Sequence, residues 1–108
     1  MGRSQLHSVE SFLTSILVHL LRLHTWPDSS TRNHWRGEVI GFQTGANKAF
    51  TSSMRQKIDI DGLHADARRR LTAEAPKTRF PSANLFTLDD LLTHDLDALL
   101  SRLPPQAA

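Results

Sequence analysis

A chain of 108 residues has room for one hydrophobic core and not two, and apolar residues at 39% with charged residues at 22% exclude a disordered chain. The absence of cysteine excludes disulfides and thiolate chemistry and fits a reducing compartment, so the expected location is the cytoplasm. The net charge of +2 conceals an asymmetry: residues 1–79 hold twelve Lys/Arg against seven Asp/Glu, whereas residues 80–108 set Arg102 against Asp89, Asp90, Asp95 and Asp97. An acidic tail packed near a basic body accounts for this pattern, and a nucleic-acid footprint usually has a denser basic cluster.

From Ser4 to about Thr25, Leu6, Val9, Leu13, Ile16, Leu17 and Leu20 recur at helical spacing, and Phe12, His19 and Leu23 widen the stripe enough to touch two neighbours. The run from Phe12 to Leu23 is too short to span a bilayer, and it carries His19 and Arg22 without a cleavage site, which argues against a signal peptide. Trp26-Pro27 ends the helix, because the residue before proline is pushed out of the helical region. A second helix is expected from about Arg32 to Thr51, with Trp35, Val39, Phe42, Ala46 and Phe50 on one face. The same helix carries Gly37, Gly41 and Gly45 at four-residue steps, each costing roughly 1 kcal/mol against alanine in a helix interior. Such a ridge lies mostly off the Trp35 face and lets a second backbone approach closely.

Ser53 with Gln56 reads as a capping box opening a short helix, with a break near Asp61-Gly62 and a further helix to about Ala75, closed by Pro76. Lys77 to Leu85 forms a loop or arm anchored by Phe80-Pro81. Thr87 with Asp90 caps a last helix whose leucine stripe runs from Leu88 to Leu103, interrupted near Thr93 and stopped by Pro104-Pro105. With only 6% aromatic residues and no tyrosine, the core is mostly aliphatic, as suits helices packed on helices. The expected fold is all-α: one domain over residues 1–108, a small bundle of about four helices with an arm around Phe80-Pro81, and a disordered tail over 104–108.

Little in the sequence points to catalysis. Asp59-Ile60-Asp61-Gly62 resembles part of a calcium loop, but with Gly62 in the sixth position Lys57 occupies the first ligand position and Arg68 the twelfth, so a cap from Asp61 is the better reading. His34 and Glu38 lie one turn apart and could share a metal, but no ligand string accompanies them. His19, on a wide apolar stripe, reads as a hydrogen-bonded, partly buried residue. The Arg68–Arg70 run, with Arg32, Arg36, Arg55 and Lys57, could grip phosphates, although successive helical residues point about 100° apart and fan instead of forming one patch.

The order of several short motifs carries more information than any one of them: Gly2-Arg3-Ser4, His19-Leu20-Leu21, His34-Trp35 with Glu38 and Ile40, Ser52-Ser53-Met54-Arg55, Ala65-Asp66-Ala67-Arg68-Arg69, Phe80-Pro81, and Phe86-Thr87 before Leu91-Leu92. In this order the chain resembles, from about Gly2 to Leu92, the twenty-ninth of the numbered domain-of-unknown-function families, small helical proteins of cyanobacteria and other bacteria. The resemblance implies a helical bundle in a bacterial cytoplasm and carries no catalytic residue with it. Asn84-Leu85 stand where the family typically has Cys-Pro. The family's helical segment ahead of the Gly-Arg-Ser motif is also missing, which predicts an uncovered apolar surface on the first or second helix.

The leading expectation is therefore a non-catalytic protein-interaction module that forms a homodimer through Gly37, Gly41, Gly45, Phe12 and Leu23, with no cofactor and no membrane partner. A competing possibility is that residues 93–103 fold back over the gap. The second functional reading is a nucleic-acid binder using Arg32, Arg36, Arg55, Lys57, Arg68, Arg69 and Arg70. The third is a metal-dependent bundle enzyme with His34, Glu38 and another histidine as ligands.

Overall fold

In the computed structural model, which describes residues 3–104, the wide apolar stripe becomes a single helix, α1, over Arg3–Thr25. Val9, Leu13, Ile16, Leu17, Val18, Leu20 and Leu21 have no exposed surface, so the second half of α1 is enclosed on nearly every side. The next helix, α2 (Arg32–Ala49), packs along α1 through Val39 and Ala46, with Trp35 and Phe42 partly buried against the same core. α2 ends two residues before the expected Thr51, because Phe50 is already extended (φ −70°, ψ 134°).

The following segment corrects two expectations. Ser52–Lys57 is a 3₁₀ helix that inserts Met54 into the core, and no capping box forms at Ser53; its hydroxyl contacts the Thr51 hydroxyl at 3.0 Å instead. The break falls before Ile60 and not at Asp61-Gly62: α3 runs Ile60–Glu74 with Gly62 inside its first turn. The cap position belongs to Asp59, whose carboxylate folds over Gly62, where an added Cβ would lie 2.6 Å from Oδ2. Glycine lets the carboxylate lie this close, and it does not mark a helix boundary. Asp61 occupies the first turn, where its charge suits the helix dipole, and accepts a hydrogen bond from Asn84 Nδ2 at 3.0 Å.

The arm after α3 is pinned by Phe80 and Phe86, both buried, and by Asn84, which bonds both the N–H and the carbonyl of Phe86. The expected interruption near Thr93 divides the leucine stripe into α4 (Leu88–Thr93) and α5 (Leu96–Ser101), giving five α-helices among the described residues. Thr87 and Asp90 form the expected capping box, with Thr87 N–H donating to Asp90 Oδ2 at 2.8 Å and Asp90 N–H to Thr87 Oγ1 at 3.1 Å. α2 holds α4 by its far end: Gln43 Nε2 donates to the carbonyls of Leu91 and His94, and Asn47 Nδ2 to that of Leu92. These are the carbonyls a helix C-terminus leaves without internal partners.

α5 then folds back against α1 and α2 and buries Leu96, Leu99 and Leu103. Part of the surface expected to be uncovered on α1 is therefore covered by the chain's own α5. One apolar cluster joins residues of all five helices. Of the tail expected over 104–108, residues 105–108 lie outside the described residues. Among the described residues, no helix is long and apolar enough to cross a membrane.

Candidate interaction surface

The proposed partner surface divides once the side chains are placed. Leu23 is only 4% exposed and belongs to the core. Phe12 closes over Gly45: a Cβ there would lie 2.7 Å from Phe12 Cζ, so this glycine accommodates an aromatic ring of its own chain. The Phe12 ring also neighbours Phe42 at 6.4 Å, and His19 meets Phe42 edge-on at 5.2 Å. Gly37 and Gly41 are exposed, and nothing lies within 4 Å of a Cβ on either. Between them Ile40 is 54% exposed, the most exposed large apolar side chain among the described residues. The outward face of α2 is therefore Gly37, Ile40, Gly41 and Thr44, without Phe12, Leu23 or Gly45.

The basic residues are dispersed among structural pairs. Arg36 reaches Asp97 at 3.2 Å, Arg55 reaches Asp89 at 3.0 Å while lying 5.5 Å over the Phe50 ring, Arg69 pairs with Asp66, and Arg70 lies 4.0 Å from Glu74. Arg68 is half-buried, and its Nε has no partner among the described residues. Arg32 and Lys57 are exposed. Two of these pairs join the basic α2 and 3₁₀ segment to α4 and α5, so the acidic C-terminal region complements the basic body through named contacts.

His34 Nε2 lies 3.3 Å from Glu38 Oε1 on the surface, and no group of three or more metal-ligating side chains occurs among the described residues. His19 donates its Nδ1–H to the Ser15 carbonyl at 2.8 Å, and burial lowers its pKa from the ordinary 6.5. His64, which the sequence pattern did not single out, is 3% exposed with no partner for Nε2 among the described residues; burial lowers its pKa, Arg68 adds to the effect and Asp61 opposes it.

Asp90, expected as the capping partner of Thr87, has further contacts that the sequence did not show. Beyond capping α4, its carboxylate accepts from Arg102 Nη1 at 2.7 Å and lies 3.5 Å from His94 Nε2. The Thr87 N–H holds its pKa below the ordinary value, burial opposes this, and Arg102 and His94 reinforce it.

Two of the surface depressions are lined by side chains of more than one helix or turn. One, of about 470 Å³ between α1 and α3, has a mixed polar lining that includes His7, Glu10, Asp66 and Arg70. The other, of about 500 Å³, sits at the turn between α1 and α2 and is walled by Trp26 and Trp35. Their rings lie 6.4 Å apart at 46°, and Phe80 braces Trp26 edge-on at 5.9 Å.

These features define a small all-α protein in which the first helix packs against α2, α3 and α5 within one shared core. The chain belongs to the family described as Domain of unknown function DUF29, whose model matches residues 1–96. It is similar to an alpha-helical protein of unknown function from Rhodospirillum rubrum ATCC 11170, with a TM-score of 0.86 at 27% identity over 97% of this chain and 72% of that one. Comparison with curated proteins yields no match.

Proposed function

We propose that this protein is a non-catalytic interaction module that self-associates through the outward face of α2. The observation that carries the proposal is Ile40, which is 54% exposed between two glycines with open space above them. A helix interior tolerates paired glycines at a cost of roughly 2 kcal/mol, and close approach of a second helix would offset that cost. The titratable groups support a structural role: Asp90, Glu74, Asp89 and Asp97 are all engaged in pairs that fasten helical segments to one another.

The expected dimer is weak. Eighteen residues make a strip about 27 Å long, and at about 10 Å wide it falls short of the roughly 800 Å² per partner of a standard interface. Sedimentation or light scattering from about 10 μM to about 1 mM should show a reversible monomer–dimer equilibrium. Ile40→Glu should remain monomeric throughout without losing helicity. A wild-type chain that is monodisperse and monomeric over that range would refute the proposal.

A further inference from the structure

The depression at the α1–α2 turn is built differently from the rest of the surface. Both tryptophans of the chain line it, together with Thr25, Pro27, Asp28 and Ser29. Its volume of about 500 Å³ lies within the range of small-ligand sites, which are typically aromatic-lined with a few polar groups. The walls are held from behind: Phe80 braces Trp26, and the Arg22 guanidinium lies 6.0 Å from the Trp35 centroid. Proline at position 27 limits the turn's freedom, and Ser29 N–H bonds the Trp26 carbonyl at 3.2 Å.

The charge at this site selects the ligand. Arg22 is neutralised by Glu74, both of whose carboxylate oxygens accept from Arg22 Nη2, at 2.7 and 3.3 Å. Asp28 makes no ion pair within 4 Å among the described residues, although Arg32 shares a neighbouring depression with it. The Thr25 hydroxyl is shielded, so the polar groups presented to a ligand are Asp28 and Ser29. Electron-rich indole faces beside an unpaired carboxylate suit a positive charge spread over a compact apolar surface.

We propose that the Trp26–Trp35 depression is a binding site for a compact organic cation of the quaternary-ammonium type, with Asp28 as its counter-charge. The proposal is independent of self-association and is tested on the monomer. Because the chain's only tryptophans line the depression, their emission reports directly on it.

At low micromolar protein, choline chloride should shift tryptophan emission saturably in the millimolar range, against sodium chloride at equal ionic strength. Its neutral isostere 3,3-dimethylbutan-1-ol should bind about tenfold more weakly or not at all. Asp28→Asn, at an exposed turn position, should keep the fold by circular dichroism and weaken choline binding about threefold to tenfold. Trimethyl-lysine amide separates the sources of the cation: tighter binding than choline points to a protein side chain, weaker binding to a free small molecule. Absence of saturation with choline, equal binding of the isostere, or unchanged affinity in Asp28→Asn would each overturn the proposal.

Discussion

Two glycines one turn apart in α2 should respond to the same substitution with opposite sign. At Gly41 an added Cβ meets nothing within 4 Å, so Gly41→Ala changes only helix propensity and should stabilise the monomer by about 0.5–1 kcal/mol. At Gly45 the same methyl would lie 2.7 Å from Phe12 Cζ and 3.0 Å from Cε1 and Cε2. Ordinary carbon contacts are about 3.5–4.0 Å, so the ring must retreat by roughly 1 Å. Overpacking of this kind costs about 1–3 kcal/mol, and Phe12, being only partly buried and backed by Phe42, places the cost near the middle of that range. After the propensity gain, Gly45→Ala should destabilise by about 1 kcal/mol. The two variants should therefore differ by about 2 kcal/mol, or roughly 8 °C in Tm for a chain of this size. Urea denaturation followed by circular dichroism at low micromolar concentration keeps self-association out of the measurement. Phe12→Leu in the Gly45→Ala background should recover part of the loss, because the two positions share one contact. Equal or greater stability of Gly45→Ala relative to Gly41→Ala would refute the packing assigned to Phe12.

Two further predictions concern buried titratable groups. Asp90→Ala removes an α4 cap and the partner of Arg102; because the Arg102 side chain is 40% exposed and screened, the cost should be about 2–3 kcal/mol, measured by denaturation. His64, with its folded pKa lowered from 6.5, contributes stability that is full above pH 6.5 and lost as the pH falls toward the folded value, since the unfolded chain takes up the proton first. His64→Leu should therefore flatten the pH dependence of unfolding between pH 7 and 5, and at neutral pH should be at least as stable as wild type because the imidazole Nε2 makes no hydrogen bond to lose. His19 and His24, whose pKa values burial also lowers, should leave a residual slope, and a wholly unchanged pH profile in that variant would show that His64 does not contribute to it.

Periodic apolar patterns were legible wherever burial follows the helical repeat. α1, α2 and the interrupted leucine stripe are readable from Leu6 to Leu23, from Trp35 to Ala46 and from Leu88 to Leu103, and Thr87–Asp90 marks its own helix because a capping box is a local structure. Gly62 misled because the cost of glycine in a helix is about 1 kcal/mol, less than the packing of His64, Ala67 and Leu71 that continues α3 past it. The clamp of Gln43 and Asn47 on α4 was illegible, because the partner carbonyls lie more than forty residues away and side-chain amides carry no periodic signal. The glycine ridge was visible, but which glycine a ring fills depends on the crossing of α1 and α2. The tryptophan site escaped for a related reason: Trp26 read as a helix terminator and Trp35 as core, and only the turn between them makes them neighbours.

The breadth of the α1 stripe no longer implies an outside partner. Its apolar surface is covered by α2, α3 and α5, and α5 is held in place together with α4 by ties from the opposite side: Gln43 and Asn47 from α2, the Arg36–Asp97 and Arg55–Asp89 pairs, and Asp90 clasping Arg102. The acidic character of the C-terminal region is thus part of how α1 is covered, because these carboxylates bring the last leucines onto it. With the second half of α1 enclosed and the inner face of α2 spent on the same core, two apolar places open to a partner are the outward face of α2 around Ile40 and the aromatic depression where α1 turns into α2. These lie on different sides of α2, since Trp35 is on its core-facing side and Ile40 is not. A cation seated against the tryptophans would therefore leave the self-association face free, and choline should bind monomer and dimer alike.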